Sequence, residues 1–143
     1  LIINCTLEQL PGLIRTANGK RKERIEAAIA EAMLLGAELL AQDAPKAFGA
    51  LQQSFHVEGK AIVADAPYAG LVELGTRPHM PPFRPLLDWA TRIGANDPGA
   101  LAYAVQQKIA EVGSQPTNFV KSNIPKLKES LRELVERALN RGE

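Results

Sequence analysis

Between residues 20 and 41 the apolar side chains Ile25, Ala28, Ile29, Ala32, Met33, Leu39 and Leu40 recur three and four positions apart, while Lys22, Glu23, Glu26 and Glu31 fall mostly on other faces. That spacing predicts a long amphipathic helix from about Lys20 to Ala41. Asp43 and Pro45 close it, because the residue before a proline is pushed out of the α region and proline has no amide to donate. The period then shortens to two. Leu51 to Val57 and Lys60 to Ala64 flank Glu58-Gly59, with Phe55 and Val57 on one face and Ile62 placed to pair across, which predicts a β-hairpin. A hairpin alone is marginal in water, so its apolar face must lie on the long helix, on another strand or on a neighbouring subunit. Strand edges left open by such a hairpin suit joints between protomers.

A helical period returns at Tyr68, Leu71, Val72 and Leu74, about two turns from Pro67, and Gly75 supplies the left-handed residue that ends it. Pro78, Pro81, Pro82 and Pro85 then fix φ and remove four backbone donors, so an arm over about residues 75–85 is expected to run extended across a surface. Leu86 to Ile93 reads as a short helix led by Pro85 at its first position, with Trp89 on the apolar side. Gly94 to Gly99 is a break, and Ala100 to Val112 is a further helix capped by Gly113. Leu127, Leu131, Leu134, Val135, Ala138 and Leu139 stripe a charged last helix. It either begins at Pro125 or runs from near Thr117 with Pro125 inside, an arrangement that costs about 3 kcal/mol unless packing compensates. At the front, Leu1 to Leu7 reads as a strand ended by Pro11-Gly12. The expected architecture is α+β: a long N-terminal helix packed on a small antiparallel sheet with a hairpin, a proline-rich arm, and two to three C-terminal helices. The 143 residues form one domain of ordinary size.

Within the arm, Met80 and Phe83 are apolar side chains without an evident partner. Tyr68, Phe83 and Trp89 fit two readings, a small satellite core beneath the arm or anchors for a neighbour's pocket, and Phe83, between Pro82 and Arg84, leans to the anchor. Glu73 works against the dipole of its own helix and calls for a partner, which Arg77 or Arg84 would supply; the plainer alternative is a solvated carboxylate.

Composition narrows the function classes. Hydrophobic residues make up 45% and charged residues 23%, which suits a folded domain rather than a disordered one. Seventeen basic against sixteen acidic residues leave a charge of +1, so the broad electrostatic footprint of a nucleic-acid or anionic-lipid binder is not expected. The basic group Arg15, Lys20, Arg21, Lys22 and Arg24 is offset by Glu23 and Glu26 and reads as a solvated helix start. Cys5 is the lone cysteine, so no internal disulfide is expected and the thiol reads as a tolerated one. No run approaches the roughly 20 apolar residues of a membrane span, and the start lacks a signal peptide's basic flank. Catalysis is not expected either. His56 and His79 lack a second ligand at metal-binding spacing, Ser54 lacks a nucleophile-elbow setting, and no phosphate-binding glycine loop occurs. No cofactor is expected, and a small hydrolase built on His56 or His79 has no motif behind it.

The ordered set Tyr68-Ala69, Glu73, Gly75-Thr76 and then Pro82-Phe83-Arg84-Pro85-Leu86-Leu87 resembles the minor tail component family of long-tailed double-stranded DNA bacteriophages, also described as neck or tail-completion proteins. Looser likeness reaches upstream to Leu51 and Ser54, which resemble the family's "leucine, two residues, serine" strand, and downstream past Trp89. The resemblance implies a structural virion protein at the head-to-tail junction. It would form a ring of six or twelve copies between the connector or stopper and the tail tube, with DNA passing through the lumen without sequence-specific contacts. Assembly would take place in the host cytoplasm. Under that reading Tyr68, Glu73, Thr76, Arg77, Pro78, Met80, Phe83, Arg84 and Pro85 form the subunit and partner interface. A tail-terminator ring capping the tube, or a small protein-binding adaptor from outside phages, are the competing assignments.

Overall fold

The computed structural model describes residues 1–4, 10–46 and 49–141. Its centre is an antiparallel pair of long helices, α2 (Gly19–Asp43) and α7 (Phe119–Asn140), laid on a three-stranded antiparallel sheet. The amphipathic stripe of α2 does what its spacing predicts: Ile25, Ala28, Ile29, Ala32, Met33, Ala37 and Leu40 are buried. From α7, Leu127, Leu131 and Val135 meet them. Gly36 marks where α2, α7 and the sheet touch. A Cβ there would lie 2.8 Å from a Leu127 methyl and 2.9 Å from one of Ile62, so a glycine that costs about 1 kcal/mol of helix propensity permits the close approach.

The sheet has the order β1 (Ile2–Ile3), β3 (Ala61–Ala64), β2 (Phe55–Glu58). The predicted hairpin is present, with Val57 opposite Ile62 and Phe55 opposite Ala64. It is shorter at its front than the sequence suggested. Leu51 to Ser54 are not strand: Gly49–Gln53 form a short helix, α3, whose last turn is closed by the Ser54 amide and hydroxyl, both donating to the Leu51 carbonyl at 3.1 and 2.8 Å. A helix of five residues has too few positions to display a period. Phe55 and Val57 pack on the core, and the Phe55 ring meets Phe119 edge-on at 6.1 Å.

At the front of the chain only Ile2–Ile3 are strand among the described residues, and Cys5 lies outside them. Pro11-Gly12 do not form a turn; they sit in the first turn of α1 (Leu10–Thr16), where a proline loses no helical hydrogen bond. Pro125 lies inside α7 on its exposed side, so the longer of the two helices is the one formed. Buried Phe119, Val120, Asn123 and Leu127 on either side of it supply the packing that offsets its cost. No helix among the described residues is long and apolar enough to cross a membrane.

Between the sheet and α7 the chain leaves this body. It forms α4 (Ala69–Leu74), an extended stretch, and then two helices packed on each other, α5 (Phe83–Arg92) and α6 (Pro98–Val112). Asp97 caps α6 by accepting from the Ala100 amide at 2.9 Å, with Pro98 in the first position.

Candidate functional site

The excursion from α4 to α6 leaves and returns through one crossing of two chain segments, built from a repeated sequence device. Each of α4 and α6 ends in glycine followed by a hydroxyl residue, Gly75-Thr76 and Gly113-Ser114. Both glycines have positive φ, 73° and 75°, a region a side chain enters only with strain. Space is short as well: a Cβ on Gly75 would run into the Ser114 carbonyl oxygen, and one on Gly113 into that of Thr76. The backbones therefore lie in contact. Thr76 and Ser114 fasten the crossing, with the Thr76 amide donating to the Ser114 carbonyl at 3.1 Å. The Ser114 amide donates to Thr76 Oγ1 at 3.0 Å, and the two hydroxyls lie 2.9 Å apart.

Glu73 locks this base to the body. It is neither the solvated carboxylate nor the arginine partner that the sequence suggested: it is 6% exposed, and its two oxygens accept from the Val120 and Lys121 amides, each at 2.9 Å. Those are second- and third-position amides of α7, which have no partner within their own helix. The residue that would ordinarily cap them, Asn118, is held at φ 51° and makes no side-chain cap bond. Glu73 takes that role from another element, so a charge unfavourable at the end of its own helix gains the positive end of a 22-residue one. In return, Thr117 and Asn118 donate their amides to the Val72 and Glu73 carbonyls at 3.1 and 3.2 Å. Beside this junction the Asn123 amide nitrogen donates to Asp43 at 2.8 Å, joining the end of α2 to the start of α7.

The nine residues singled out in the sequence divide into two groups. Tyr68 packs against the main core, and Glu73 and Thr76 form the base just described. Arg77, Pro78, Met80, Phe83, Arg84 and Pro85 are exposed. The arm is extended only as far as Pro82. Phe83, Arg84 and Pro85 already form the first turn of α5, so Pro85 is its third residue and not its first, and Phe83 does not sit on extended chain. First-turn amides lack helical partners anyway, which is why a proline fits there. Arg84 turns to Asp88 on its own helix at 3.4 Å, and the Arg77 carbonyl lies 2.9 Å from His79 Nδ1. The extended stretch is held to α6 by the His79 amide, which reaches the Ile109 carbonyl at 3.3 Å, and by Gln106, which donates to the Pro81 carbonyl at 2.8 Å.

Large apolar side chains collect on this part of the surface. Leu71, Leu74, Met80, Phe83, Ile93, Tyr103 and Val112 are all more than a third exposed, whereas among the described residues of the body beyond it only Leu1, Ile2, Leu34 and Leu35 are exposed in the same way. Between α5–α6 and the body lies an apolar cleft of about 330 Å³, walled by Leu71 and Val72 on one side and by Leu86, Trp89, Val105 and Ile109 on the other. Aromatic residues are therefore distributed and not clustered: Tyr68 on the core, Trp89 in the cleft, Phe83 facing out. Ser114, Thr117 and the capping role of Glu73 are not evident from local sequence. The matched Gly-Thr and Gly-Ser pairs at two helix ends were the signal available for the first of these.

His56 lies apart, on the sheet face turned away from the core. Its Nε2 is 3.0 Å from Glu58, and its Nδ1 is 3.3 Å from the Ser54 carbonyl and 3.4 Å from Asp65. The Glu58 hydrogen bond, followed by the one to Ser54, raises its pKa above the usual 6.5. Among the described residues no group of three or more His, Cys, Asp or Glu side chains is placed to hold a metal ion. Compared with known proteins, the chain matches no family model, no curated protein and no solved structure.

Proposed function

We propose that this chain is a structural assembly subunit whose working surface is the α5–α6 projection and the arm leading to it, and that it serves at the head-to-tail junction of a long-tailed phage. The observation that carries the assembly reading is the concentration of exposed large apolar side chains between Leu71 and Val112, on α4 and on the α5–α6 module joined to it through the base made by Glu73 and the glycine crossing. Exposed apolar surface gathered in one region marks a place of association. The junction assignment rests on the resemblance carried by Tyr68, Glu73, Gly75-Thr76 and the run from Pro82 to Leu87. In a ring each subunit meets two like neighbours through unlike surfaces, and closure limits growth. The chain's work is then mechanical, holding a channel for DNA between connector and tube.

Deleting the gene from its phage or prophage genome tests the assignment. Negative-stain images of the lysate are expected to show filled heads and tails that fail to join. Joined tails of uncontrolled length would move the protein to the terminator position, and particles of normal form would overturn the reading. Complementation with a Met80→Ser, Phe83→Ser double variant tests the surface itself: the purified variant keeps its fold, while joined particles fall in number.

A further inference from the structure

The cleft sets two apolar walls facing each other, and the two belong to units joined in a particular way. Leu71, 56% exposed, and Val72 are fixed to the body through the α4–α7 junction, where Val72 and Glu73 accept from Thr117 and Asn118. Leu86, Trp89 and Val105 are carried by α5 and α6, which hold each other and the extended stretch through the His79–Ile109 and Gln106–Pro81 hydrogen bonds. At the meeting point of the two units the chain passes through Gly75 and Gly113, both in a region of torsion space that only glycine crosses freely. The Thr76–Ser114 hydrogen bonds keep the crossing together. Beyond this crossing neither α5 nor α6 packs closely on an element of the body among the described residues, so the crossing is the principal link between the two units.

We propose that residues 77–112 move as one rigid clamp about the Thr76–Ser114 crossing, and that in its closed state Leu86, Trp89 and Val105 are pressed onto Leu71 and Val72. Removal of apolar surface from water drives closure, and the lost rotational freedom of the clamp opposes it, so both states are populated in the free protein. This inference stands on the geometry of the cleft and its base, independent of the phage assignment.

Pulsed electron-spin distance measurements test it. Labels are attached to exposed cysteines replacing Gln42 on α2 and Gln107 on α6, in a full-length Cys5→Ser background. Control pairs are Gln42 with Lys128 within the body and Arg92 with Gln107 within the clamp. The pair across the cleft is expected to show two distances and each control one. Leu71→Asp, a charge placed at an already exposed point of the body wall, is expected to abolish the shorter distance and leave both controls unchanged. A single distance across the cleft overturns the proposal, and so do two distances whose weights ignore Leu71→Asp.

Discussion

The body fully buries large side chains, and the α5–α6 projection does not. In the body the fully buried residues include large ones, Ile25, Met33, Leu40, Leu51, Ile62 and Leu131, beside several alanines. In the projection the buried residues are Ala90 and Ala102, small enough to let two helices touch, while Phe83, Ile93, Tyr103 and Val112 face outward. The body thus completes its own core. The projection fully buries only alanine, leaves Leu86, Trp89, Val105 and Ile109 half-buried along the cleft, and exposes several other large apolar groups. A segment meant only to fold would spend its large side chains inside, because each fully buried Leu, Ile or Phe is worth roughly 1.5 to 3 kcal/mol.

If that contrast is right, damage to the two regions separates by probe. Trp89 is the single tryptophan and sits in the projection, so its fluorescence reports there, whereas far-UV circular dichroism is dominated by α2 and α7. The largest effect is expected from Leu131→Ala, which opens a cavity at a fully buried site of the body. It should cost about 2 to 5 kcal/mol in urea unfolding and move both signals together. Gly113→Ala is expected to cost about 2 to 4 kcal/mol, combining left-handed strain with overlap against the Thr76 carbonyl. Its signature is different: the Trp89 transition should fall to lower urea ahead of the dichroism. Coincident transitions in Gly113→Ala would mean that the projection is part of the body's cooperative unit.

Glu73→Gln probes the seam between the regions. The amide keeps the size of the carboxylate, yet one of its two heads is now a donor facing the α7 amides, and the charge opposite the helix terminus is gone. A loss of roughly 1.5 to 3 kcal/mol is expected. Amide hydrogen exchange should localise it, with Val120 and Lys121 losing protection while the centre of α2 keeps it. Glu73→Asp, whose shorter arm retains the charge, should recover only part of the loss.

How much of this was legible in the sequence depends on how local each feature is. α2 showed itself because eight buried positions repeat along 25 residues, and the strands of the hairpin because Phe55, Val57 and Ile62 alternate around a Glu-Gly turn. The end of the arm is less legible, because four prolines suggest extended chain up to Pro85, although a proline is tolerated throughout a helix's first turn. The dipole of its own helix disfavours Glu73, which suggests a solvated carboxylate or an arginine partner, and neither is what the fold supplies. What sequence does not carry is that the partner lies 47 residues away as the bare amides of another helix. Caps that arrive from a distant element leave no local spacing to find. The same holds for the cleft, whose walls come from Leu71 and from Val105.

The smallest expected effect belongs to His56, on the body's outer sheet face, and it asks whether that face takes any part in the contrast. Protonated, the ring donates Nε2–H toward Glu58 and Nδ1–H toward the Ser54 carbonyl and Asp65, so the folded state holds its proton more tightly than the unfolded chain does. A raised folded pKa means that the added stability is fully present below the unfolded value near 6.5 and is lost as pH rises through the folded one. An NMR titration of the His56 ring should give a midpoint above 6.5, and Glu58→Gln should bring it down, since the Glu58 bond is the leading cause. Because the ring is well exposed, stability should change only slightly over this window, and the Trp89 signal of the projection should not follow the titration. A Trp89 response with the His56 midpoint would instead couple the outer sheet face to the cleft, and the division of the molecule into a finished body and an unfinished projection would have to be redrawn around that coupling.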